Sequence, residues 1–350
     1  MATIKDIAKR VGVSPTTVSR VLSADPKLSV TKEVRKKVIE TAAELNYSTP
    51  RDKRLARSSG EMAASPLRNV LVLQGLSDDQ ELADPYYVGV RVGVEKTCQA
   101  MGLSTAVHYS DDPASEISID PATGIVLMGH HSEEALSAIL AETDLIAFAG
   151  EDLPYYDYAD RDTVKHDLVG SMSALLSNLV DAGYRDIGFI GFKRNRPDTS
   201  PTVAHQMEAR AAAFVDWLSK RELFDETLMR REGKTSQNGY DLTLDLLRGK
   251  KLPDVIVAAT DSLAIGAYMA LKENGKSIPE DIAVVAFNDI PAAQFLVPPL
   301  TTVKLSAELI GKTAVELLAE RCGGRDVSKK ITLGAKIIWR DSAHKPPQNS

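Results

Sequence analysis

The chain is short of cysteine: Cys98 and Cys322 are the only two in 350 residues, far apart and with no partner motif around either. That argues against a disulfide-stapled fold and against a zinc site, and it points to a reducing compartment. No run of about 18 apolar residues occurs, the length a membrane-spanning helix needs. The opening MATIKDIAKR is charged and has no apolar centre, so no signal peptide is expected. A cytoplasmic protein without a membrane partner follows as the expectation. Phosphate-cradling loops are missing too. Neither GxGxxG nor a Walker sequence is present, and GFIGF at 188–192 has the wrong spacing, so no cofactor is expected. The six histidines form no nucleophile–base set with a serine or cysteine, and His130-His131 stand at a loop start. No catalytic residue, no metal ligand set and no enzyme activity are therefore expected.

Acids are absent from one more place, the stretch VGVSPTTVSRVLS at 11–23. It lies in a basic head. Residues 1–60 hold 13 Lys/Arg against 6 Asp/Glu, whereas the rest holds 29 against 42, within a formal net charge of −6. A basic head on an acidic body predicts a polyanion partner for the head alone. Three short helices can be read there. The first, Ile4–Val11, puts Ile4, Ile7, Ala8 and Val11 on one face. Gly12 and Val13 form a turn. The second begins after Ser14 as N-cap, with Pro15 at the position where a missing N–H costs nothing. The third, about Lys32–Leu45, is capped by Thr31. Ala8, Gly12 and Val18 have the small–turn–apolar spacing of a helix-turn-helix. The second helix then turns Thr16, Thr17, Ser19 and Arg20 outward, toward base edges and phosphates.

Residues 48–68 read as a linker rich in Pro, Ser, Gly, Ala and basic residues. Arg51–Arg57 can be read in two ways. It forms a short helix on DNA, pushing Leu55 into a minor-groove step while Arg51, Lys53 and Arg54 hold phosphates, or it stays a basic tether.

From Asn69 onward, apolar runs alternate with helical patterns. The runs are 69–74, 104–110, 123–129, 145–150, 186–191, 254–260 and 282–289; helices are expected at Tyr87–Met101, Val169–Ala182, Ala204–Arg221, Asn238–Leu247 and Ser262–Glu273. Such alternation means parallel sheets covered on both faces, and a break near Asp160–Asp167 suggests two Rossmann-like lobes. Ligands of such sheets bind at the carboxyl ends of strands. Gln74, Glu151, Thr260, Asp261, Asn288 and Asp289 end strands, which suits a neutral polyhydroxylated ligand. Asp261 and Asp167 also precede helices and read as N-caps.

Longer motifs carry a resemblance. ATIKDIAKRVGVSPTTVSRVLS with VTKEVRKKVIETAAELNY at the front, and AATDSLAIGAYMAL, IPEDIAVVAFNDIP and PPLTTVKLSAELIGKTAVELL in the body, resemble the LacI/GalR family of transcriptional repressors. DPYYVGVRVGVEKTCQAMG and FNDIPAAQFLVPPLTTV are similar to its galactoside-responsive, Ebg-type branch. The resemblance covers nearly the whole chain. It implies an all-α helix-turn-helix head (1–47), a hinge helix and linker (48–68) and an α/β periplasmic-binding-protein-like core (69–340) of two Rossmann-like lobes. The lobes would span about 69–165 and 166–290, with 291–340 crossing between them and 341–350 as a tail. It implies a homodimer on pseudo-palindromic operator DNA, with an effector in the cleft altering DNA affinity. The DNA-contacting residues would be Thr3, Ser14, Pro15, Thr16, Thr17, Ser19, Arg20, Tyr47, Arg51, Lys53, Arg54 and Leu55. The effector contacts would be Gln74, Tyr86, Tyr87, Glu151, Arg210, Asp261, Asn288 and Asp289. Lys234 stands where the lactose repressor has a sugar-stacking aromatic, and the tail lacks leucine heptads, so no tetramer is implied. The function expected is a repressor of a galactoside or galactose operon. The alternative is a repressor of the same family with a purine or sugar-phosphate corepressor.

Overall fold

The computed structural model describes residues 4–22, 30, 31, 34, 36–38, 41, 42, 67–82, 84–110, 112, 119–150, 160–193 and 207–346. Thr3, Tyr47, Arg51, Lys53, Arg54, Leu55 and Glu151 lie outside these residues, as does most of the expected hinge.

The head packs as its spacing requires. Helices α1 (Ile4–Val11) and α2 (Pro15–Leu22) meet over Ile7, Ala8, Val18 and Val21, all buried, together with Val38 and Ala42 from the third helical stretch. Gly12 takes φ +76°, a backbone that an L side chain resists, and its amide donates to Ala8 O. Ser14 caps α2, its Oγ accepting from the Thr17 amide at 3.1 Å. Thr31 does the same for Val34.

The body holds two six-stranded sheets. The first contains β1 (Asn69–Gln74), β2 (Ser104–His108), β3 (Thr123–Met128), β4 (Ile146–Ala149), β5 (Asp162–His166) and, from far along the chain, β11 (Lys330–Leu333). Its order is β11-β5-β4-β3-β1-β2, and all pairs are parallel. The second contains β6 (Ile187–Phe192), β7 (Met229–Glu232), β8 (Val255–Ala258), β9 (Ala283–Asn288), β10 (Thr301–Lys304) and β12 (Lys336–Ile338). Its order, β12-β10-β9-β8-β6-β7, mirrors the first, with β12 alone antiparallel. After β5 the chain leaves the first sheet, and it returns to it for β11 before ending in the second. Continuous burial of β3, β4, β8 and β9 explains their unbroken apolar runs.

The break expected at Asp160–Asp167 is instead strand β5, in register with β4 and β11. DTVKH hid it because three of its polar residues, Asp162, Thr163 and His166, are buried. Asp162 accepts from Arg321 and Arg325, and His166 meets the Tyr86 hydroxyl. Strands β7, β10, β11 and β12 were also unexpected. They are short, and β7, β11 and β12 have no fully buried residue, so their sequences carry little apolar signal.

Each lobe has one close helix crossing built on glycine. In the first, α4 (Pro85–Met101) crosses α10 (Ala307–Cys322), the α3 label falling to the short Asp78–Leu82 turn. A Cβ on Gly93 would sit 2.1 Å from Glu308 O, so only glycine fits there. In the second, α8 (Ser236–Leu247) crosses α9 (Asp261–Glu273), and a Cβ on Gly266 would sit 1.9 Å from Ser236 O. The remaining helices are α5 (Glu133–Glu142), α6 (Leu168–Asp181) and α7 (Ala209–Ser219). No helix among the described residues is long and apolar enough to cross a membrane.

Candidate functional site

Two sites emerge, one on the head and one between the lobes. On the head, Ser14, Pro15 and Thr16 are exposed at the start of α2, with Thr17 and Arg20 partly exposed behind them. Ser19 lies on the same helix. Packing of Val18 and Val21 into the head core fixes which face of α2 is left outside. The helix carries no acid in its first turn, so nothing there repels phosphate.

The second site is a cleft at the carboxyl ends of the strands, as doubly wound sheets dictate. Asp84, Tyr86 and Tyr87 approach it from the first lobe, at the start of α4. The second lobe supplies Phe192 from the end of β6, Glu208, Ala209 and Arg210 from the start of α7, Lys234, Thr260 from the end of β8, and Asn288 from the end of β9. Leu168 and Leu305, on the segments joining the sheets, complete its lining. The free volume is about 70 Å³. Ligand pockets start near ~300 Å³, so a ligand must part the walls to enter.

Arg210 is the most constrained cation in this wall. Its Nε donates to Glu208 Oε1 at 2.9 Å and its Nη1 to Ala259 O at 2.7 Å. The Phe192 and Phe287 rings lie 5.6 and 5.7 Å from its guanidinium carbon. Glu208 in turn caps α7, accepting from the Arg210 amide. Lys234 reaches across the cleft, its Nζ 5.4 Å from the centre of the Tyr87 ring. That is cation–π distance between the two lobes. Tyr86 stacks edge-on against Tyr87, and its hydroxyl lies 3.2 Å from His166 Nδ1. Burial, with the Arg210 charge adding to it, lowers His166 to a pKa of about 4, so the ring is neutral at pH 7.

Of the residues expected at the effector, Tyr86, Tyr87, Arg210 and Asn288 line this cleft. Gln74 does not. It is buried, and its Nε2 donates to the equally buried Glu81, which also accepts from Arg91 and Tyr109. Asp289 turns away and accepts from Arg340 at 2.7 Å. Asp261 is neither a lining residue nor an N-cap. Thr260 caps α9, and the Asp261 carboxylate lies fully buried behind the cleft. Asp167, by contrast, does cap α6. Asp84, Glu208 and the two leucines line the cleft without being expected as contacts; Thr260, read as a strand end, and Lys234, read as a departure from the family's aromatic, line it too. For Glu208 a signal existed: an acid just before the helix carrying Arg210 reads as an N-cap.

The head and the core match known families separately. Residues 3–50 match the model of bacterial regulatory proteins of the lacI family, and residues 176–343 match a periplasmic binding protein-like domain. The HTH-type transcriptional repressor MelR of Bacillus subtilis is 34% identical over 350 residues, covering 98% of this chain and 97% of that one. The lactose operon repressor of Rhizobium radiobacter is 58% identical over 110 residues, 31% of this chain and 97% of that one. Among solved structures, the complex of the transcriptional regulator CelR with cellobiose superposes with a TM-score of 0.68 at 22% identity, covering 98% of this chain and 100% of that one.

Proposed function

The chain belongs to the LacI family of bacterial regulatory proteins, and from that premise we propose that it represses a galactoside-utilisation operon and is released from its operator by a neutral galactoside bound between the lobes. The observation that carries the ligand class is the wall of the cleft. Carboxylate, amide and guanidinium groups of Asp84, Glu208, Asn288 and Arg210 suit vicinal hydroxyls. The Tyr87 and Phe192 rings suit the apolar face of a sugar. The 58% identity to a lactose operon repressor, over 31% of this chain, adds to a galactoside reading within that class.

On the DNA side, Thr16 and Arg20 carry hydrogen-bonded readout, while Pro15 donates nothing and offers only apolar contact, for instance to a thymine methyl. Ser14, Thr17 and Ser19 complete the helix face. Tyr47 and Leu55 join this interface by family resemblance, and Thr3 and the basic linker residues Arg51, Lys53 and Arg54 are assigned to it with them. The unit is a homodimer. Phe295 is 76% and Val297 89% exposed, two large apolar side chains on one short loop. An apolar surface of that kind favours a partner. Ligand and operator would then favour different arrangements of the lobes, with a coupling of about 1–3 kcal/mol.

A second reading rests on Lys234, which makes no ion pair among the described residues and so leaves a cation in the cleft for a phosphate. Thermal melts with galactose, melibiose, lactose, galactose 6-phosphate and hypoxanthine separate the two. A rise with the neutral galactosides, lost in Arg210→Ala, is expected. A rise with galactose 6-phosphate alone would transfer the assignment to the second reading, a rise with hypoxanthine alone would point to a purine corepressor instead, and no response to any of them would defeat the ligand class altogether.

A further inference from the structure

Asn288 and Asp289 are consecutive non-glycine residues with positive φ, +116° and +55°. Such a path persists only where the surroundings over-determine it. Here the surroundings can be named. Asp261 Oδ2 accepts from the Ile290 amide at 2.8 Å, and its Oδ1 accepts from Thr302 Oγ1 at 2.6 Å. Thr302 Oγ1 also accepts from the Asp289 amide at 3.4 Å. The Asp289 carboxylate is tied to Arg340 at 2.7 Å, and Arg340 holds Leu300 O at 2.8 Å. One carboxylate thus joins three distant stretches: the start of α9, the turn after β9, and β10.

We propose that Asp261 is a positioning residue: from behind the cleft it holds the Asn288–Ile290 turn in its left-handed path and so presents the Asn288 side chain to the ligand. It does not touch the ligand itself, because it is fully buried while Thr260 and Asn288, on either side of it, line the cleft. A carboxylate suits this task. Its two oxygens accept from two donors at once, and neither the Ile290 amide nor the Thr302 hydroxyl is left unmet. The same brace anchors the start of the exposed Phe295–Val297 loop, since Ile290 O accepts from Ala293 and Leu300 donates to Ala293 O. The ligand part of the proposal rests on the galactoside reading; the bracing part does not.

The test separates them. Hydrogen–deuterium exchange needs no ligand. In Asp261→Ala, peptides spanning 288–300 should exchange at least tenfold faster while those within 283–287 of β9 stay unchanged, and Asp261→Asn, which keeps an acceptor for Ile290, should restore most of the protection. Thr302→Val removes the other side of the brace and should loosen the same peptides should the alanine variant not fold. Equal acceleration across β9 and the turn would show a merely stabilising role and overturn the proposal. Lactose titration then reads the ligand part. Asp261→Ala and Asn288→Ala should each weaken binding about tenfold, and the double variant should be no weaker than Asn288→Ala alone. Additive losses would overturn the action through Asn288. Failure of lactose and the other galactosides to bind the unaltered chain counts against the galactoside reading, with the exchange result still deciding the brace.

Discussion

Two aspartates, one in each lobe, are both fully buried, and they are held in opposite ways. Asp162 in the first lobe faces two guanidinium groups, Arg321 and Arg325, and the Lys329 amide. Burial pushes its carboxyl up, but the hydrogen bonds from Arg325, Arg321 and the Lys329 amide together hold it below the usual range. Asp261 in the second lobe faces only neutral donors, a hydroxyl and an amide. Burial dominates there and pushes it up to about 7, with hydrogen bonds from Thr302 and Ile290 opposing. The first arrangement welds the chain's return strand to the sheet it left. The second braces a turn at the ligand. The difference teaches that a buried carboxylate is read by the charge of its partners, since burial is common to both.

Removing each charge should break the comparison most sharply. Asp162→Asn takes the anion from Arg321 and leaves Arg325 only Glu320, and should cost about 3 kcal/mol in urea denaturation. Asp261→Asn, which frees no buried cation, should cost under about 1 kcal/mol at pH 8. Comparable losses in the two variants would show that partner charge is not what distinguishes them.

The second prediction concerns pH. Asp261 has a folded pKa raised above its unfolded value, so the folded state binds the proton more tightly between about pH 4 and 7. Stability from this group is full below the unfolded pKa and falls as pH rises toward 7. The stability of Asp261→Asn relative to the unaltered chain should therefore increase by about 2 kcal/mol between pH 5 and pH 8. Taking the difference between the two removes His166, whose lowered pKa acts in the opposite sense. A flat difference would place the Asp261 pKa near that of an ordinary carboxylate.

The glycine crossings offer a case where the lobes should agree. Gly93→Ala and Gly266→Ala each drive a Cβ into backbone, 2.1 Å from Glu308 O and 1.9 Å from Ser236 O. Each should cost about 1–3 kcal/mol in the same denaturation measurement. If only one is costly, that lobe alone is rigid at its crossing.

The smallest effect expected is at the aromatic wall of the first lobe. Tyr87→Ala should weaken lactose binding by about 1 kcal/mol, and Tyr87→Phe should leave it nearly unchanged, as isothermal titration can measure. A large loss in the phenylalanine variant would assign the contact to the hydroxyl.

Much of this was legible beforehand, and the limits have physical causes. The seven apolar runs all proved to be strands; in β3, β4, β8 and β9 burial on both faces favours apolar residues at most positions, whereas β2 is an exposed edge strand. Strand β5 escaped because its buried Asp162 is satisfied by Arg321 and Arg325, 159 and 163 positions away. Arg210, Tyr86, Tyr87 and Asn288 line the cleft, where the family motifs imply them. Gln74, Asp261 and Asp289 are expected there as well but do not line it, because ending a strand does not say which way a side chain turns. Lys234 stood out only as a departure from the family, and nothing local showed that it meets Tyr87.

The sequence by itself determined the helix-turn-helix head, with its face free of acids, and the alternation that produces two parallel sheets. Both follow from periodicity and capping, which act over a few residues. Only the tertiary structure decided that β11 returns to the first sheet, that Lys234 and Tyr87 meet across the cleft, and that Asp261 works from behind Asn288. Those outcomes depend on which distant donor reaches a buried acceptor, and no local pattern encodes that pairing.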